Sequence, residues 1–131
     1  MPDAPISWGE LVDKITILEL KAERLGDAAA LDNVRRELAL LRALEPDPAG
    51  PLAGLRARLA AVNARLWEVE DRLREKETAA DFGPEFVELA RSVYLSNDER
   101  AAIKREINLA LGSEIIEEKS YAPYGKPPAQ S

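Results

Sequence analysis

A chain of 131 residues is enough for one domain, which at that size buries roughly two thirds of the surface exposed by its unfolded chain. It has no cysteine and no histidine, which excludes disulfides, thiolate or imidazole metal ligands, cysteine nucleophiles and histidine-based catalytic arrangements. Eighteen basic against 24 acidic residues give a net charge of −6, and the bases alternate with acids, so nucleic acid is not an expected partner.

The opening "MPDAPISWGE" lacks a basic start followed by an apolar run, and nowhere do about 18 consecutive apolar residues occur. The expectation is a cytoplasmic protein with no membrane partner. Alanine, leucine, arginine and glutamate dominate and aromatic residues make up only 5 percent, which favours helices over sheets. The expected class is all-α.

Taken in chain order, Ser7 followed by Glu10 has capping-box spacing and starts a first helix near Trp8, with Gly26 ending it. Trp8, Leu11, Ile15, Leu18, Ala22 and Leu25 recur at steps of three and four, the period of a helix packed lengthwise on another. Asp27 caps a second helix carrying Leu31, Val34, Leu38 and Leu41, and "EPDPAGP" is a stiff connector. Pro51 opens a third and longest helix, running to about Thr78, with Leu52, Leu55, Leu59, Val62, Leu66, Val69 and Leu73 as its seam. A helix of that length spans roughly 40 Å, so its far end needs cover from the C-terminal half or from a second subunit.

"DFGPE" breaks the pattern and Pro84 opens a short fourth helix. Ser96 and Glu99 repeat the capping-box spacing and start a fifth, with Ile103, Ile107, Leu111 and Ile115 on one stripe and a bend or stop at Gly112. The segment "YAPYGKPPAQS" has too much proline to form an element. The expected architecture is therefore an antiparallel bundle of about five helices with coiled-coil-like packing over 1–120, and an extended tail over 121–131.

Carboxylates three residues apart on a helix can clamp a hard divalent cation. The chain has four such pairs, Glu10 with Asp13, Glu68 with Asp71, Glu85 with Glu88 and Glu114 with Glu117, and chance placement of 24 acids gives roughly four. No cofactor is expected on that count. The alternative is a magnesium-dependent enzyme or phosphometabolite binder that uses Glu10, Asp13, Glu114 and Glu117 as hard oxygen ligands.

Arg58, Arg65 and Arg72 recur every seven residues, and Glu68 is placed to neutralise two of them, so a solvated stripe is expected. Arg100, Lys104 and Arg105 have Glu99 and Glu106 beside them and favour local surface pairing over an anion site. Asn63 sits among seam residues, where a polar side chain can fix helix register. Trp8 and Trp67 read as core or interface filling. Glu114, Glu117 and Glu118 lie at the C-terminal end of a helix, where the macrodipole disfavours negative charge, so something beyond local helix energetics keeps them there. Tyr121 and Tyr124 could fold back on the bundle as a clasp.

The blocks "ISWGELVDKITILELKAER", "LWEVEDRLREKE" and "NDERAAIKREINLALGSEIIEEKSY" together resemble a family of short bacterial proteins known only as a domain of unknown function. The resemblance covers nearly the whole chain and implies that its blocks form one unit. It also implies a setting beside surface-polysaccharide and glycosyltransferase genes, with no activity or cofactor to carry over. The leading expectation is a non-enzymatic interaction module, a homodimer through the long third helix. Any binding site is expected where the first helix, the fifth helix and the tail meet, at Trp8, Glu10, Asp13, Lys14, Lys104, Asn108, Glu114, Glu117, Lys119 and Tyr121.

Overall fold

In the computed structural model, residues 2–46, 50 and 52–112 are described. Among them are four helices, α1 (Trp8–Arg24), α2 (Ala28–Arg42), α3 (Ala53–Thr78) and α4 (Pro84–Leu111), and no strand. The all-α class holds, with four helices where the sequence suggested about five. None of them is long and apolar enough to cross a membrane.

The helix starts follow the local chemistry. Ser7 Oγ accepts from the Glu10 amide at 3.1 Å and Asp27 Oδ2 accepts from the Ala30 amide at 3.0 Å, so each cap satisfies a donor that a helix N-terminus leaves open. α1 ends at Leu25, whose backbone is extended, so Gly26 is not a left-handed cap. Pro84 occupies the first turn of α4, where its missing N–H costs nothing. Gly112 does take the left-handed conformation, φ +65°, and stops α4.

The expected break at Ser96 does not occur, because Ser96 is buried and its hydroxyl accepts from Arg65 Nε of α3 at 3.2 Å. Bound across helices, it is not used as a cap, and α4 runs unbroken for 28 residues. Between α3 and α4 the backbone turns through a Schellman arrangement. The Asp81 amide donates to the Lys76 carbonyl and the Ala80 amide to the Glu77 carbonyl. Ala80 fills the left-handed position, φ 50°, that glycine normally takes.

α1 is the hub. It packs on α2, α3 and α4, α3 and α4 pack on each other, and α2 packs only on α1. Two faces of α1 feed two cores. Leu11, Ile15 and Leu18 join Val34 and Leu38 of α2, while Val12 joins Leu59, Val62 and Leu66 of α3 and Ile103 and Ile107 of α4. Most of the α1 seam therefore faces α2, whereas Trp8 at its head is 37% exposed.

The heptad arginines are not neutralised within α3. Arg58 pairs with Glu106 at 3.2 Å, Arg65 with Glu99 at 2.5 Å and Arg72 with Glu85, three rungs across to α4, while Glu68 reaches Arg24 of α1. Exposed pairs of this kind contribute about 0–1 kcal/mol each, so their value lies in setting register, as charges flanking a coiled-coil seam do. The rungs make α3 and α4 antiparallel. α1 is antiparallel to α4 but runs in the same sense as α3, since Asp13 and Thr16 meet Asn63 and Arg24 meets Glu68. The expected all-antiparallel order is corrected there, because α1 packs on both helices of the antiparallel α3–α4 hairpin and so must run parallel to one of them.

A second ionic cluster ties the end of α2 and the start of α3 to α1. Glu19 accepts from Arg42 at 2.7 Å and from Arg56 at 2.9 Å, and Arg56 also bonds Glu45. Burial alone would push the Glu19 carboxyl up, but the two guanidinium partners outweigh it and hold it below the usual carboxylate range. A lowered folded-state value means that the stabilisation is complete above the unfolded-state value and fades as pH falls through the folded one. Urea denaturation at neutral and acid pH should therefore show Glu19→Gln less stable than the parent at neutral pH, with the difference closing on acidification; a difference that stays constant with pH would contradict this.

Candidate functional site

One row of α1, Gly9, Asp13, Thr16 and Leu20, is buried throughout although three of its members are small or polar. Spacing of three and four residues puts them on one face, and that face meets α3 and α4. The result is a polar node inside an apolar junction.

Asp13 is its centre, with a side chain 1% exposed. Its Oδ1 accepts from Arg100 Nε at 2.9 Å and from Asn63 Nδ2 at 2.9 Å, and its Oδ2 accepts from Arg100 Nη2. This two-pronged guanidinium contact is the strong geometry for a carboxylate. Lys104 Nζ stands 3.9 Å from Oδ2 and donates to Glu10 Oε2 at 2.7 Å. Thr16 Oγ1 accepts from Asn63 at 3.0 Å and donates to the Asp13 carbonyl at 2.8 Å. Among the described residues two carboxylates face two cations, and that pairing is what makes burying Asp13 tolerable.

At its upper edge α1 and α4 nearly touch. The Gly9 amide donates to Asn108 Oδ1 at 2.7 Å, and a Cβ on residue 9 would lie 2.5 Å from the Lys104 carbonyl oxygen. Only glycine allows that approach.

Of the residues singled out from the sequence, Glu10, Asp13, Lys104 and Asn108 come together here. Lys14 is exposed on another face of α1, and Trp8 is partly exposed at its head. Glu114, Glu117, Lys119 and Tyr121 lie outside the described residues. Arg100 was expected to pair with local acids on the surface, but it turns inward to Asp13 while Glu99 serves Arg65. Asn63, read as a register residue, does bridge α3 to α1. Gly9 and Thr16 were missed, and the signal that would have found them is the i, i+4, i+7 row they share with Asp13.

Asp13 can neither take a proton from a substrate nor lend its oxygens to a cation without releasing Arg100 and Asn63. Among the described residues no group of three or more acidic side chains converges as a metal cradle. An open groove of about 850 Å³ runs between α2 and α3, with Ala60, Ala61 and Ala64 on one side, and meets the node only at Thr16.

Comparison with known proteins places the chain over residues 3–131 in a family of unknown function, DUF6165. The chain belongs to that family. No curated protein and no solved structure matches it. The match runs through both ends of the chain, so the shared unit includes the residues that follow α4 as well as the node.

The close approach at Gly9 yields a sharp expectation. In an open helix Gly→Ala stabilises by about 1 kcal/mol. Here Gly9→Ala should instead destabilise, by about 1–3 kcal/mol for overpacking against backbone, read from the urea midpoint; a stabilised variant would contradict the α1–α4 contact.

Proposed function

We propose that the chain is a non-enzymatic assembly module that pairs with a second copy of itself through α4. The observation that carries this is the apolar outward face of α4 from Val87 to Leu95, which begins on the part of the hairpin that projects beyond α1. α1 makes its last rung at Arg24–Glu68, yet α3 continues to Thr78, about ten residues or roughly 15 Å further. Over that stretch, among the described residues, each helix has only the other for cover. Leu89 is buried there, Val69, Leu73 and Phe86 stay half-buried and Val87 is 42% exposed; Val93 packs against the main core, and Tyr94 and Leu95, level with the Arg24–Glu68 rung, are 56% and 48% exposed.

Val87, Tyr94 and Leu95 share the outward face of α4 with Glu88 and Arg91, neither of which enters an ion pair among the described residues. The face is self-complementary. In an antiparallel α4–α4 contact centred near residue 90, Val87 of one copy meets Tyr94 of the other, and Glu88 meets Arg91, the isologous pattern of a two-fold dimer. Two projecting hairpins would then complete a four-helix bundle and cover the surface that a lone hairpin leaves wet.

The proposal takes α4 as the pairing surface in place of the α3 seam that the heptads suggested. Leu55, Leu59, Val62 and Leu66 are used within the chain. An assembly role is compatible with the surface-polysaccharide setting that the resemblance implies. The magnesium alternative has less support, because Glu10 and Asp13 are already matched to Lys104 and Arg100.

Sedimentation equilibrium over a range of concentrations tests the proposal. The parent should show a monomer–dimer equilibrium, unchanged by magnesium. Leu95→Glu should abolish association while leaving stability within about 0.5 kcal/mol, since the position is exposed. Glu88→Arg should weaken pairing, and Glu88→Arg with Arg91→Glu should restore it. A parent that stays monomeric, or a dimer indifferent to these changes, would overturn the proposal.

A further inference from the structure

α2 is the least secured of the four helices. Among the described residues it packs on α1 alone, whereas α3 and α4 each pack on α1 and on one another. Of its 15 residues only Val34 and Leu38 are buried, against Leu11, Ile15 and Leu18 of α1, and this cluster is separate from the one that joins α1 to the hairpin. The open groove separates the flank of α2 from Ala60, Ala61 and Ala64 of α3.

The two ends of α2 are held differently. At its start, a three-residue link from α1 is extended at Leu25 and Asp27, and a Cβ on Gly26 between them would meet no atom within 4 Å. At its end the hold is ionic. Arg42, the last residue of α2, donates to Glu19 of α1 at 2.7 Å, and Glu45, with a side chain only 6% exposed, accepts from Arg56 of α3 at 2.5 Å. Arg56 also donates to Glu19 at 2.9 Å, a bond in which α2 takes no part. That pair remains when α2 leaves, while the other two exist only with α2 seated. Segments with few buried apolar contacts open at lower free energy than the core beside them.

We infer that α2 is a flap that hinges at Leu25–Asp27, with Arg42 and Glu45 as the bolt that Glu19 and Arg56 catch. Its opening bares Leu11, Ile15 and Leu18 of α1 while the Asp13 node and the α3–α4 hairpin stay in place. The fold thus keeps an apolar strip of α1 behind a latched lid, apart from the outward face of α4.

Native-state hydrogen exchange on the full chain, read amide by amide by NMR at neutral pH, tests the flap. Relative to their intrinsic rates, amides of 32–42 should exchange through one shared opening at least about tenfold faster than those of 59–66 and 103–107, which wait for global unfolding. Arg42→Gln together with Glu45→Gln leaves Glu19 and Arg56 paired and should speed 32–42 by about three- to tenfold, the loss of two ion pairs that are partly exposed. Ile103→Val, a core change remote from α2, should speed 59–66 and 103–107 by about two- to tenfold and leave 32–42 within about twofold, because the core stays folded when the flap opens. Amides of 32–42 that exchange only at the global rate, that ignore the Arg42 and Glu45 changes, or that follow Ile103→Val would each overturn the inference.

Discussion

A carboxylate with no access to water has to be matched by the protein, and Asp13 is matched by donors from two other helices. Arg100 grips both of its oxygens from α4 and Asn63 reaches one from α3. Sliding any of the three helices by a turn would strand a buried charge, at a cost of several kcal/mol. Apolar contacts tolerate such slips far better, since leucines and isoleucines at heptad spacing can re-pair one turn along. The node therefore contributes register more than net stability. Its position between the two apolar cores lets a few polar side chains align α1 with the hairpin.

Much of the remaining architecture follows from α1 being gripped in this way. Among the four helices α2 packs only on α1, so its place is inherited. The ion cluster of Glu19, Arg42, Arg56 and Glu45 then fastens the α2 end and the start of α3 to the same helix. Because α1 is short, the hairpin outgrows it, and the length mismatch between 17 and 26 residues leaves the projecting end exposed. The polar interior that sets register and the apolar exterior available for pairing are thus consequences of one arrangement. They occupy different places, so the pairing proposed for α4 does not require the node to open.

The sequence was most legible where the determinant is local. Ser7, Asp27, Pro84 and Gly112 act through their own backbone neighbourhoods, and each was readable as a start or a stop. The apolar periods of α1 and α3 were readable for the same reason. Ser96 misled because capping-box spacing is not sufficient: a serine hydroxyl will take an arginine from another helix when the fold brings one near. Glu10 and Asp13 looked like a cation-binding pair because the spacing of carboxylates says nothing about which cations sit opposite them. Arg100 and Lys104, some ninety residues later, answer that question only once α1 and α4 are antiparallel and in register. The heptad arginines were legible as a stripe, but their partners were not, since an intrahelical Glu68 and three interhelical glutamates fit the same spacing.

The central claim is that Asp13 and Arg100 act as one unit, and a double-mutant cycle measures that directly. Asp13→Asn and Arg100→Gln are made singly and together, with unfolding free energies taken from urea titrations at neutral pH. Each single change should cost about 3–5 kcal/mol, because it leaves a buried partner uncompensated. The double variant should cost less than the sum of the two by about 1–3 kcal/mol, the coupling of groups in direct contact. If the two losses instead add to within about 0.5 kcal/mol, as for independent sites, the node is not the interaction that holds α1 in register, and this account of the fold is wrong.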